Sequence, residues 1–198
     1  LESIASHCIF VAAASTAASG SGKEMQAALQ SARSRYSKQI SNQPRICTAG
    51  HSQGGGGSFN AALLLKANCA LPVQADTVYT SKISGPLDPK VEVIALWGST
   101  DTIAPAHPAN FKNIEKYSSI LSSIEISNEG HFKITSGRGG NIGTLFRMAA
   151  IAQLSPDALT AAKFRRAFWG PQTHSTVTKT PKEILDVIRD SGALSTNP

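Results

Sequence analysis

Short apolar runs alternate with longer stretches of helical periodicity along this chain, and that alternation constrains the fold more than any other feature of the sequence. Residues 8–14 (CIFVAAA), 45–49 (RICTA), 75–79 (ADTVY), 91–97 (VEVIALW) and 122–127 (SSIEIS) read as strands. Most are almost continuously apolar, the pattern of strands covered on both faces. Between them, residues 23–39, 53–67, 108–117, 142–154 and 155–168 carry apolar or small side chains at helical spacing. Pro108 and Pro156 stand in first turns, where the missing N–H of proline is not needed. Strand and helix in succession predict an α/β protein, with a doubly wound, mostly parallel sheet and helices on both faces. A chain of 198 residues, 41% hydrophobic and 16% charged, is long enough for one such core. A single domain is expected over residues 1–198, with its core in 1–170 and then a loop and a last amphipathic helix over 181–190.

Several function classes drop out. No apolar run approaches the roughly 18 residues that a membrane span requires, so none is expected. The formal charge is +6, but the basic residues are dispersed singly except for Arg165 and Arg166. No nucleic-acid partner is expected without a basic stripe interleaved with aromatics. Cys8, Cys47 and Cys69 are odd in number and none lies at CxxC spacing, so neither a disulfide framework nor a zinc site is expected. Cys8 and Cys47 sit in apolar runs and read as buried, inert thiols. The N-terminus shows neither the basic segment nor the small-residue cleavage site of a signal peptide. Ser19-Gly20-Ser21-Gly22-Lys23 has the look of a phosphate loop, but Ala17 and Glu24 stand where that motif needs Gly and Ser or Thr. No cofactor is expected.

The chemistry concentrates at Gly50-His51-Ser52-Gln53-Gly54, a G-x-S-x-G pattern set between a strand and a helix. On such a turn a serine takes a strained backbone that small neighbours must permit, and its hydroxyl projects beyond the sheet edge toward a helix N-terminus. The glycines at 54–57 let that helix pack closely on its surroundings. A serine nucleophile needs a base, and the base needs an orienting acid; in this architecture they follow in the order Ser, Asp or Glu, His from later strand ends. Asp101, in GSTDTIAP, follows the strand VEVIALW, and His131, in EGHF, follows SSIEIS. Asp88, in the GPLDP turn, is the second choice of acid. The other histidines fit less well: His51 precedes the serine and is expected to point away from its hydroxyl, His7 precedes a strand, His107 opens a helix and His174 lies in the tail. Residues 135–140 (TSGRGG) read as a loop beside the site, with Arg138 solvated.

The segments LESIASHCIFVAAASTAASGSGKEMQAAL, AGHSQGGGGSFNAA, GSTDTIAP and EGHF resemble the bacterial cutinase-like polyester hydrolases and their dienelactone-hydrolase and lipase relatives, over residues 1–170. The resemblance implies the α/β-hydrolase fold and a secreted, cofactor-free serine esterase that hydrolyses short-chain or polymeric carboxylic esters, here taken as a monomer. It implies Ser52 as nucleophile, His131 as base, Asp101 as acid, the Gln53 N–H as an oxyanion donor, and Ile103 and Phe132 along the substrate. Against the family, Gln53 stands where Met is usual, no Trp follows the third strand, and residues 168–180 hold no cysteine. The chain also opens where the family's fourth strand begins, so the fold is expected to be N-terminally incomplete, without the loop that gives the second oxyanion donor. The alternative function is a non-catalytic binding module that keeps the elbow.

Overall fold

The computed structural model describes residues 1–16, 19–106, 108–137, 139–169 and 176–179. Among these, five strands form one parallel sheet in chain order: β1 (Cys47–His51), β2 (Cys69–Val73), β3 (Glu92–Gly98), β4 (Ile120–Ile126) and β5 (Thr176–Lys179). The helices are α1 (Glu2–Ala5), α2 (Lys23–Arg35), α3 (Gln53–Leu65), α4 (Thr77–Thr80), α5 (Pro108–Lys116), α6 (Gly140–Leu154) and α7 (Ala158–Trp169). None of the described helices is long and apolar enough to cross a membrane.

The strand period of two splits the core into two layers. On one face Leu71, Val73, Ile94, Leu96, Ile124 and Ile126 pack with α6 and α7 through Leu145, Met148 and Phe168. On the other face Ala70, Val93, Ala95 and Trp97 meet Phe59 and Ala62 of α3 and Ile114 of α5. Both faces of β3 are buried, which is why VEVIALW is apolar without alternation. The one polar atom this places in the core, the Trp97 indole N–H, donates to Ser123 Oγ at 3.1 Å. The α/β class read from the sequence therefore holds, with helices on both sides of a parallel sheet.

Five readings need correction. Residues 75–79 are not a strand: the Asp76 carboxylate accepts the Val78 N–H at 2.8 Å and caps α4, overriding the β preference of Thr77, Val78 and Tyr79. The strand there is β2, a few residues earlier, fully buried and containing Pro72. Residues 8–14 join no strand ladder; Cys8 turns the chain at φ +59° and Ile9 and Val11 pack into the first core layer as irregular backbone. The stretch after Gly170, read as a loop, contributes β5, paired to Ser123–Ile126 at the β4 edge. Cys47 and Cys69, register partners on β1 and β2 with Cα atoms 4.6 Å apart, form a disulfide, and the remaining Cys8 is exposed rather than buried. Cys69 belongs to the unread β2, so the pairing had no signal in the sequence. Within residues 135–140, a 3-10 turn over Lys133–Thr135 and the start of α6 at Gly140 replace part of the expected loop. The helix over 181–190, with His107, Arg138 and His174, lies outside the described residues.

Candidate active site

β1, β3 and β4 end on the same side of the sheet, because all its strands are parallel, and each delivers one chemistry-bearing residue there. Ser52 lies between the end of β1 and the start of α3, with φ +55° and ψ −117°. A non-glycine residue held there stores about 1–3 kcal/mol of strain and persists only where its surroundings fix it. Three backbone bonds fix it: Ser52 N–H donates to Val73 O at 3.0 Å, and Ser52 O accepts from Gly55 N at 2.9 Å and Asp76 N at 3.2 Å. Small neighbours make the turn possible. A Cβ at Gly50 would collide with the Gly54 carbonyl, and one at Gly56 would stand 2.7 Å from Tyr79 backbone and side-chain carbons, so α3 sits where only glycines fit.

Asp101 follows β3 and is buried at 4% exposure; His131 follows β4 and is buried at 6%. His131 Nδ1 donates to Asp101 Oδ2 at 2.8 Å, while Asp101 Oδ1 accepts the N–H groups of Ile103 and Ala104, each at 2.8 Å. A carboxylate so provided with donors stays in one orientation, and it holds the ring with its proton on Nδ1. The His131 Nε2 and the Ser52 hydroxyl make no hydrogen bond within the described residues. In proteins without a bound substrate such contacts are commonly long and close only around the reacting group. The Gln53 N–H, at the first position of α3, likewise makes no hydrogen bond within the described residues, as a helix's first-turn donors lack a partner in their own helix.

Ile103 and Phe132, expected along the substrate, are 53% and 64% exposed and adjoin the buried pair: Ile103 through its N–H to Asp101, Phe132 with its ring 5.0 Å from that of His131. Val78, on α4 beside the Ser52 turn, is a third exposed apolar side chain, at 56%. Asp88, the alternative acid, accepts Lys90 N–H at 2.9 Å in its own turn. His7 is engaged with Ser3 O and the Phe164 ring and touches none of Ser52, Asp101 or His131 among the contacts of the described residues.

Two residues at this site were not picked out as functional. His51 was expected only to point away from the serine, yet its ring lies 4.6 Å from that of His131, and its Nε2 is 2.7 Å from the His131 carbonyl. Burial, with the neighbouring His131, holds the His51 ring below the usual imidazole range, against the opposing pull of the His131 carbonyl and the Gln74 amide. Gln74, fully buried just after β2, donates through Nε2 to Gly130 O at 3.0 Å. A polar residue closing an apolar strand was the only signal for Gln74.

No protein-family model matches the sequence, and no curated protein matches it. Among solved structures the chain is similar to an alpha-beta serine hydrolase homologue from Coxiella burnetii, at 16% identity and a TM-score of 0.47, covering 65% of this chain and 56% of that one. The match therefore spans little more than half of that protein's length.

Proposed function

We propose that this chain is a serine hydrolase of the α/β-hydrolase type that cleaves carboxylic esters through an acyl-enzyme on Ser52. The observation that carries the reading is the pairing of a strained serine at a helix N-terminus with a buried His131–Asp101 hydrogen bond at 2.8 Å, on strand ends in the order Ser, Asp, His. With the His131 proton on Nδ1, Nε2 is the basic nitrogen. It takes the Ser52 proton as Oγ attacks the ester carbonyl, and the oxygen of the tetrahedral intermediate meets the Gln53 N–H at the positive end of α3. Collapse expels the alcohol, which leaves with the proton from His131. Water then attacks the acyl-enzyme, giving its proton to Nε2, and the acid departs as Ser52 recovers its hydrogen.

Val78 on α4, Ile103 after β3 and Phe132 after β4 are exposed apolar side chains at the strand ends that carry the site, which suits an ester with an apolar acyl or aromatic part, short-chain or polymeric, as in the cutinase-like enzymes the sequence resembles. The Cys47–Cys69 bond supports an oxidising, extracytoplasmic location. A non-catalytic binding module that keeps the elbow is the second reading. One experiment separates the two: hydrolysis of p-nitrophenyl butyrate by the chain and by Ser52→Ala. Hydrolysis lost in the variant supports the esterase, and equal rates for both folded proteins overturn it.

A further inference from the structure

The segment that carries His131 is held in an unusual way. Three consecutive carbonyls, those of Glu129, Gly130 and His131, each accept a hydrogen bond from the end of a different strand. Thr100 N–H, past β3, donates to Glu129 O at 3.1 Å. Gln74 Nε2, past β2, donates to Gly130 O at 3.0 Å. His51 Nε2, the last residue of β1, donates to His131 O at 2.7 Å. The Thr100 donor is backbone, which any residue but proline supplies. The other two are side chains, and the sequence had to specify them.

From this geometry we infer that His51 and Gln74 are positioning residues that hold the His131 imidazole in register with Ser52, an inference that rests on the hydrolase reading above. Both residues show features that packing alone does not call for. Gln74 sits at φ +46°, a backbone that glutamine rarely takes, and its buried Oε1 makes no hydrogen bond of ordinary length although the amide lies against His51. An apolar side chain would fill that space without stranding a polar atom, so the retained amide has its use in the Nε2 bond to Gly130. His51 touches the His131 residue twice, through the hydrogen bond to its carbonyl and through a ring contact tilted at 45°. One contact fixes the backbone and the other limits rotation of the imidazole. Ser52 is the next residue after His51, so a single dipeptide sets the nucleophile and tethers the base.

The test is steady-state hydrolysis of p-nitrophenyl butyrate by the full chain, its His51→Phe, His51→Gln and Gln74→Met variants, and His51→Phe in a His131→Ala background, with Tm recorded for each. His51→Phe is expected to lower kcat roughly tenfold to a hundredfold with KM within about twofold, because a displaced base slows the chemical step without removing substrate contacts. His51→Gln, which restores an N–H donor, recovers most of the loss, and Gln74→Met, which keeps the volume, gives a smaller drop in kcat. In the His131→Ala background His51→Phe has no further effect, since a residue acting through His131 has nothing left to position. Wild-type kcat in His51→Phe and Gln74→Met overturns the inference, as does a loss of equal size in the His131→Ala background or one that His51→Gln fails to recover. If His51→Phe does not fold, Gln74→Met and His51→Gln decide alone: wild-type kcat in Gln74→Met, or a His51→Gln loss that persists in the His131→Ala background, overturns it. Insensitivity of the parent activity to Ser52→Ala is a separate result, which removes the hydrolase reading itself and this inference with it.

Discussion

The two halves of the proposed proton-transfer pair are placed by opposite means. Ser52 is set largely by its own stretch of chain, a strained turn with glycines on either side and a helix that begins at the next residue, and from elsewhere only by backbone bonds to Val73 and Asp76 just past the adjoining strand. His131 is set remotely, by an acid 30 residues away and by side chains 57 and 80 residues away from it in sequence. Gln74 reaches this segment through the adjoining Gly130. The nucleophile thus depends on what the chain cannot hold at certain positions, a Cβ, and the base on what it must hold, a donor or a carboxylate.

The comparison breaks first at the chemistry. Ser52→Ala is expected to abolish ester hydrolysis, and Asp101→Asn to lower kcat about ten-thousandfold by favouring the wrong imidazole tautomer, both with near-parental Tm. A pair of kcat measurements beside thermal melts checks this, and substantial activity in Asp101→Asn would detach the acid from the site. Next is the disulfide, which closes a loop of sequence separation 22 around the elbow and α3 and holds nothing on the histidine side. Replacing Cys47 and Cys69 together by serine should cost about 3 kcal/mol of stability, read by denaturant titration. The surviving folded fraction should keep its kcat.

Gly56→Ala sharpens the contrast from the local side. The added carbon meets Tyr79, and overpacking of this kind costs about 1–3 kcal/mol, a Tm drop of roughly 2–4 °C per kcal/mol for a chain of this size. The same substitution at half-buried Gly85, where nothing would touch the new carbon, should leave Tm nearly unchanged. The smallest effect belongs to the remote side and depends on pH. His51, faced by His131, Asp101 and Gln74, titrates below its unfolded value, so between the two values the unfolded chain binds more protons and stability rises with pH. Acidifying from neutrality through the ordinary imidazole range should lower Tm, and His51→Gln should lose less over the same interval; an equal loss would remove His51 as a source of that dependence.

What the sequence made legible follows the same division. The elbow, α3, β3, α5, β4 and α6 were all readable to within a few residues, since each is specified by neighbours along the chain: the glycines at 50 and 54, the apolar run at 91–97, Pro108 at a helix start. β2 was missed because Pro72 lacks a ladder donor and argues against a central strand, and β2 accommodates it with a gap in its pairing to β3 between Ala70 and Val73. The error at 75–79 came from β-branched residues whose preference a single aspartate cap outweighs. Ser52, Asp101 and His131 were singled out through the order of strand ends, and the structure joins the last two directly. His51, Gln74 and the Cys47–Cys69 bond escaped because each depends on which strand lies beside which, a property that no local pattern encodes.

β2 carries none of the proposed reacting groups, yet it lies between the strand of the serine and the strand of the acid. Neighbouring strands are about 4.8 Å apart, so the ends of β1 and β3 stand roughly 10 Å from one another. That gap is too wide for a carboxylate and a hydroxyl to meet, and in the proposed mechanism the imidazole from the end of β4 bridges it. In the proposed mechanism β2 is a spacer: it holds the carboxylate and the hydroxyl apart, so that a proton passes between serine and acid side only by way of the imidazole.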